Sequence, residues 1–205
     1  FQSDKTFTKK PYMGTMSLEL FKSVIDEAVE GGTKAITLAS RGEPTMNKNL
    51  GKMLEYAKDK FFEVKLNTNG TKMTEKLCHE ILSSGVTELV WSIDAPDIQE
   101  FTNFFNNLAD NVTAQTIENR WNTYENEVTP EIDSPCEYLW ERMYVWFDGK
   151  CNPCDVDYKS VLQVGDIGNN SIKEIWHGEI YQKLRDDHKK KERKKWSPCD
   201  RCGIG

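Results

Sequence analysis

The sequence predicts an α/β chain built on parallel strands, followed by a small cysteine-bearing extension. Three observations carry this expectation. Helix and strand patterns alternate through the first 95 residues, with strand starts near 35, 62 and 86. That spacing of roughly 25 residues is the pitch of right-handed βαβ units in a parallel sheet or barrel. Five of the six cysteines follow residue 135, where the alternation has ended.

Each element has a local reason. Ser17 precedes Leu18, Phe21, Val24, Ile25, Ala28 and Val29 at helical spacing, and Gly31-Gly32 closes the run, as a serine N-cap and a glycine stop require. Residues 35–39 form a short apolar strand. Asn47 opens a second helix on Leu50, Met53, Leu54 and Ala57, and residues 62–66 form the next strand. Thr74 caps a third helix carrying Leu77, Cys78, Ile81 and Leu82, stopped by Gly85; residues 86–93 follow as a strand. A further helix over 98–108 and a strand over 112–117 complete one more unit. Polar, glycine-bearing segments follow the first three strands: Ser40-Arg41-Gly42-Glu43-Pro44, Asn67-Thr68-Asn69-Gly70 and Ser92-Ile93-Asp94-Ala95. In parallel α/β folds ligands bind at those strand ends, and all three segments are expected on one side.

After residue 117 the pattern changes. Residues 118–135 are polar, contain Pro130 and read as a linker. Tyr144-Val145-Trp146-Phe147, a turn at Asp148-Gly149 and a cysteine-bearing return predict a β-hairpin. Residues 172–184 read as one helix, and the basic run 189–195 (KKKERKK) as a solvated helix end. With 9 Phe, 7 Tyr and 6 Trp among 205 residues the chain has anchors for a core, which excludes global disorder. No apolar run approaches the ~20 residues of a membrane span, and a net charge of −6 argues against wholesale nucleic-acid binding. The chain starts at Phe1, so a fragment or processed product is expected and the lack of a signal peptide carries little weight.

Cys136, Cys151, Cys154, Cys199 and Cys202 include two C-x2-C pairs. Such a turn brings two thiolates to one metal or cluster edge, and two turns can close a tetrahedral site. Nothing marks the chain as secreted, so disulfides are the weakest account and a cytoplasmic setting is expected. By spacing alone, structural zinc comes first and iron–sulfur ligation second, with one cysteine spare. Cys78 lies on the apolar face of its helix and reads as core.

Context reverses that preference. Cys136-x12-Gly149-x4-Cys154 followed by Cys199-x2-Cys202 resembles the SPASM extension, or its shorter twitch form, of radical S-adenosylmethionine (SAM) enzymes. In that extension a hairpin and a distal C-x2-C wrap an auxiliary [4Fe–4S] cluster. Val164-Gly165-Asp166-Ile167-Gly168 and Ile172-Lys173-Glu174-Ile175-Trp176 also look like its usual strand and helix. The resemblance implies Cys136, Cys154, Cys199 and Cys202 as cluster ligands and Cys151 as the spare. Arg41-Gly42-Glu43-Pro44 stands where the family carries G-G-E-P, with Arg41 in place of the first glycine. That motif receives the methionine amino group of the cofactor, and a carboxylate with exposed carbonyls suits an ammonium because both accept hydrogen bonds. Thr68 and Asn69 lie in a segment similar to the family's T-N-G. Ser92 and Asp94 correspond to the ribose-binding position, and Asn119 and Arg120 lie near the place of the adenine.

The resemblance implies a partial (β/α)6 TIM-like barrel over residues 1–130 and a SPASM/twitch domain over 131–205. The family's C-x3-C-x2-C loop, which binds the catalytic cluster, is not in this sequence, and the resemblance places it upstream of Phe1. Residues 112–117 then read as the sixth strand, with one unit missing near Ala95-Pro96. The implied activity is formation of a 5′-deoxyadenosyl radical that abstracts hydrogen from a small polar, carbohydrate-type or peptide substrate, with electrons from flavodoxin or ferredoxin. No catalytic side chain is assigned from this chain. The competing class is a non-catalytic, zinc-stabilised binding module on an α/β scaffold.

Overall fold

The computed structural model describes residues 10, 12–39, 41–92, 112–115, 123–127 and 133–204. The helix expected over 98–108, the missing unit at Ala95-Pro96, and Asp94, Asn119 and Arg120 lie outside the described residues. The chain forms two compact units, Met16–Glu118, and Phe1–Thr15 together with Asn119–Gly205.

The first unit runs α1 (Leu18–Glu30), β1 (Ala35–Leu38), α2 (Leu50–Ala57), β2 (Glu63–Thr68), α3 (Glu75–Ser83), β3 (Glu88–Ser92) and β4 (Val112–Gln115). Its strands pair in parallel in the order β1-β2-β3-β4. The expected caps form: Ser17 Oγ accepts from the Leu20 N–H at 3.0 Å and Thr74 Oγ1 from the Leu77 N–H at 3.2 Å. Asn47 sits two residues earlier than a cap should, because Asn49 precedes α2 and Asn47 Oδ1 instead accepts the Asn49 N–H at 3.0 Å. Leu50, Leu54, Cys78 and Ile81 of the helices pack on Val64, Leu66 and Leu89 of the sheet. Each large apolar side chain buried there contributes roughly 1.5–3 kcal/mol.

The second strand runs further than its apolar residues. Asn67 and Thr68 lie within β2, not in a loop behind it, because the parallel ladder continues through Asn67↔Val90 and Thr68↔Trp91, and Ser92 pairs with Gln115 at the end of β3. Side chains alternate across a strand, so Leu66 and Leu89 face the helices while Lys65 and Glu88 share the other face. A 2.8 Å ion pair between Lys65 and Glu88 fixes that assignment. The second face therefore carries Thr37, Lys65, Asn67, Glu88, Val90 and Ser92. Parallel sheets are ordinarily apolar on both faces, and a polar one is suited to a polar ligand.

The second unit holds α4 (Tyr138–Glu141), β5 (Tyr144–Val145), β6 (Lys150–Asn152), β7 (Gly165–Asp166), α5 (Ile172–His177) and α6 (Glu179–Lys189). The expected hairpin forms as β5-β6, turning at Gly149 with φ +89°, and β7 adds a third antiparallel strand. Residues 172–184 are two helices rather than one. Gly178 breaks them with extended backbone, φ −65° and ψ 157°. A Cβ on it would meet the Glu174 carbonyl at 3.0 Å. Leu139, Cys151, Leu162, Val164, Ile175, Tyr181 and Leu184 form this unit's core. The basic run is also not uniformly solvated: Lys189, Lys190, Lys191, Lys194 and Lys195 are exposed, whereas Arg193 is buried. Its guanidinium is drawn inward by three backbone carbonyls, those of Ser134, Cys202 and Ile204.

Gly165 is where β7 meets α5, and a Cβ there would fall 2.5 Å from Ile175 Cγ1. Gly165→Ala is expected to destabilise the protein by about 1–3 kcal/mol through overpacking. Gly203→Ala, with nothing within 4 Å of the added atom, should leave stability unchanged. Chemical denaturation of both variants checks the pair.

Candidate functional site

The parallel register sets the C-terminal ends of β1, β2 and β3 along one sheet edge, and one carboxylate joins two of the segments that leave it. Glu43 Oε1 accepts from the Thr45 N–H at 2.9 Å, from the Thr45 hydroxyl at 2.7 Å and from the Thr68 hydroxyl. Its Oε2 accepts from the Asn69 N–H at 2.7 Å. The Gly70 N–H donates onward to Thr68 Oγ1 at 2.9 Å. The resemblance sets Glu43 against an ammonium. In the structure it is first a brace, and its remaining acceptor capacity lies on Oε2, since a carboxylate oxygen has about two lone-pair sites. Gly42 is exposed with φ +87° and open space beside it. Gly70 has φ +70° and lies so close to the Trp91 ring that a Cβ would come within 2.0 Å of it; only glycine fits. Arg41 and Ser92 are half-buried, Ser92 on the polar sheet face. Asn67, not singled out from the sequence, shares that face, and its Oδ1 is buried without a hydrogen-bond partner. A ligand hydroxyl or amine would satisfy it.

The second unit gathers Cys136, Cys154, Cys199 and Cys202 around one cavity walled by Leu139, Pro153, Val156, Leu162, Pro198 and Ile204. Cys151 does not line it. That thiol is fully buried in the core and lies 3.6 Å from the Gly149 carbonyl, to which it donates. Burial pushes the Cys136 thiol up, the Cys154 thiol well up and the Cys199 thiol up to about 12, with Cys202 and Cys136 adding to the effect at Cys199. Thiols in such surroundings ionise when a metal brings positive charge with it. His188 and Arg193 also line the cavity. Burial, then the neighbouring Arg193, holds the His188 imidazole down to about 4. Among the described residues no three His, Cys, Asp or Glu side chains converge closely enough for a single metal ion. Four thiols lining one cavity supply the sulfur donors that an iron–sulfur group takes.

The model of the radical SAM superfamily matches residues 2–126. The chain belongs to the radical SAM superfamily. A SPASM iron–sulfur cluster-binding domain matches residues 136–203, a span that starts on Cys136 and includes the other three cavity cysteines. Radical SAM and SPASM domains bind [4Fe–4S] clusters and S-adenosylmethionine, and the cavity's donor set fits such a cluster. This radical SAM chain is 32% identical over 88 residues to the AdoMet-dependent heme synthase of Nitratidesulfovibrio vulgaris, 43% of this chain and 24% of that protein. The chain thus spans about a quarter of the length of that relative. It is 22% identical over 213 residues to the S-adenosyl-L-methionine-dependent 2-deoxy-scyllo-inosamine dehydrogenase of Niallia circulans, covering 95% of this chain and 83% of that one. The crystal structure of BtrN in complex with AdoMet and 2-DOIA shares the fold, with a TM-score of 0.78 at 22% identity over 97% of this chain and 84% of that chain. Among the described residues no helix is long and apolar enough to cross a membrane.

If Glu43 braces the strand ends, Glu43→Gln sets an NH2 group against backbone or hydroxyl donors. Hydrogen bonds to a charged group contribute about 1.5–3 kcal/mol each, so a loss of that order is expected locally. Hydrogen exchange at the Thr45 and Asn69 amides should accelerate markedly, while the amides of β6 keep their protection.

Proposed function

We propose that this radical SAM protein is an oxidoreductase-type enzyme in which a 5′-deoxyadenosyl radical abstracts hydrogen from a carbon of a small polar, carbohydrate-type substrate. Residues 1–130 form the partial (β/α)6 TIM-like barrel of this reading, and residues 131–205 a SPASM/twitch domain. The observation that carries it is the cavity lined by Cys136, Cys154, Cys199 and Cys202 together, with Cys151 left in the core. Those four thiolates hold an auxiliary [4Fe–4S] cluster, with two ligands from the hairpin region and two from the distal C-x2-C.

When bound, S-adenosylmethionine and the iron–sulfur groups supply radical generation and one-electron transfer, with a low-potential donor such as flavodoxin or ferredoxin as reductant. The chain's own residues bind and orient. Glu43, through the acceptor capacity left on Oε2, and the strand-end backbone around Gly42 receive the cofactor's methionine ammonium, with Arg41 beside them. Thr68 and Asn69, locked to Glu43, fix the shape of that rim. Ser92 and Asp94 take the ribose hydroxyls, and Asn119 and Arg120 the adenine. Thr37, Lys65, Asn67 and Glu88 give the polar sheet face the donors and acceptors that a hydroxyl-rich substrate requires. The relative named 2-deoxy-scyllo-inosamine dehydrogenase supports the same substrate class. A reducing, cytoplasmic setting agrees with six cysteines present as free thiols.

Iron and acid-labile sulfide analysis after anaerobic reconstitution tests the ligand set. Relative to wild type, Cys154→Ala should lose about four irons per chain, and Cys151→Ala should keep them. Loss in Cys151→Ala with full iron in Cys154→Ala would exchange their roles; zinc in place of iron in both would end the cluster assignment.

A further inference from the structure

Two buried residues that line the cysteine cavity each carry an N–H that no protein atom accepts. His188 is 0% exposed, and its Nδ1 accepts the Cys136 N–H at 3.2 Å. An accepting Nδ1 places the imidazole proton on Nε2, and Nε2 is buried without a hydrogen-bond partner. Arg193 is 1% exposed. Its Nη1 donates to the Ser134 carbonyl at 3.2 Å, and its Nη2 to the Cys202 and Ile204 carbonyls at 3.3 and 2.9 Å. Its Nε, like His188 Nε2, is buried and unpartnered. No carboxylate among the described residues forms an ion pair with this guanidinium. Both side chains line the cavity that holds Cys136, Cys154, Cys199 and Cys202.

A buried cation without an anion is costly, and a buried N–H without an acceptor is costly too. Here both occur at one cavity that four cysteines also line. A four-thiolate [4Fe–4S] cluster is anionic and offers sulfur acceptors, so it answers both deficits at once. Resting on the cluster assignment of the preceding section, we propose that Arg193 and His188 are the tuning residues of the auxiliary cluster: Arg193 supplies its counter-charge, and the two free N–H groups donate to its sulfurs. Net charge, hydrogen bonds to sulfur and solvent exposure set the potential of such a cluster. Reduction adds one negative charge, which the guanidinium and the donors stabilise, so they hold the reduction potential up. A purely structural Arg193, bracing chain segments through three carbonyls, would leave the potential alone.

The test is a redox titration of the reconstituted protein followed by electron paramagnetic resonance, with the auxiliary signal identified by its loss in Cys154→Ala, and with iron counted for each variant. His188→Asn keeps an acceptor near the Nδ1 position for the Cys136 N–H but removes the Nε2 donor. Arg193→Lys keeps the charge but loses the Nε–H, and Arg193→Gln loses the charge. Full iron with a potential below wild type in His188→Asn and Arg193→Lys, and lowest in Arg193→Gln, is the expected result. Full iron with wild-type potentials overturns the proposal while leaving the cluster assignment standing. Wild-type protein that binds no cluster at these cysteines overturns the assignment itself. Should Arg193→Gln fail to hold iron, the other two variants decide by the same criterion.

Discussion

A guanidinium closed off from water inside the cysteine pocket is the constraint around which the second unit is organised. Arg193 takes carbonyls from Ser134, Cys202 and Ile204, so it draws together the two chain segments that bring Cys136 and Cys202 to the cavity. Among the described residues no carboxylate forms an ion pair with it. The thiols beside it carry the opposite problem, since burial pushes the thiols of Cys136, Cys154 and Cys199 up and favours their neutral forms. On the proposed assignment an anionic iron–sulfur group would resolve both: iron would let the thiols ionise, and the resulting negative charge would pair with the cation. Breaking a buried charge pair by removing one partner typically costs about 3–5 kcal/mol. On that assignment, cluster binding and folding of this unit would be coupled.

The first unit is organised by a negative charge. Glu43 gathers donors from its own turn at Thr45 and from the end of β2 at Thr68 and Asn69. Two loops that leave different strands are thereby fixed relative to one another before any ligand arrives. Preorganisation of this kind lets a rim bind a polar group without first ordering its own loops. Beneath the rim, the Lys65–Glu88 pair and Asn67 make one sheet face polar while Leu66, Leu89 and the helices close the other.

The periodic parts of this architecture were legible in the sequence. Helical spacing from Leu18 to Val29, the caps at Ser17 and Thr74 and the hairpin glycine at Gly149 are local features, and local features show in a single chain. What escaped depends on distance. Gly178 sits in an apolar pattern that continues across it, so only its extended backbone reveals two helices. Arg193 looks like its lysine neighbours, and its burial depends on carbonyls from Ser134 and beyond Cys199. The bracing of Thr68 by Glu43, 25 positions away, left no local mark either. Spacing alone leaves Cys151 and Cys154 equivalent as a C-x2-C pair, and the choice of Cys151 as the spare comes from the resemblance; in the structure Cys151 of β6 lies in the core while Cys154 lines the cavity. His188 carried no sequence signal at all, being one histidine in a charged helix.

The central claim is that the cavity of the second unit holds a four-iron cluster on four thiolates. X-ray absorption at the iron and zinc edges of the anaerobically reconstituted protein addresses it most directly, with the Cys199→Ala variant assigning the signal to this pocket. The account predicts an iron spectrum with a sulfur first shell and an iron–iron second shell, both diminished in the variant. A zinc spectrum with four sulfurs at about 2.3 Å and no metal–metal shell, abolished by the same substitution, would contradict it.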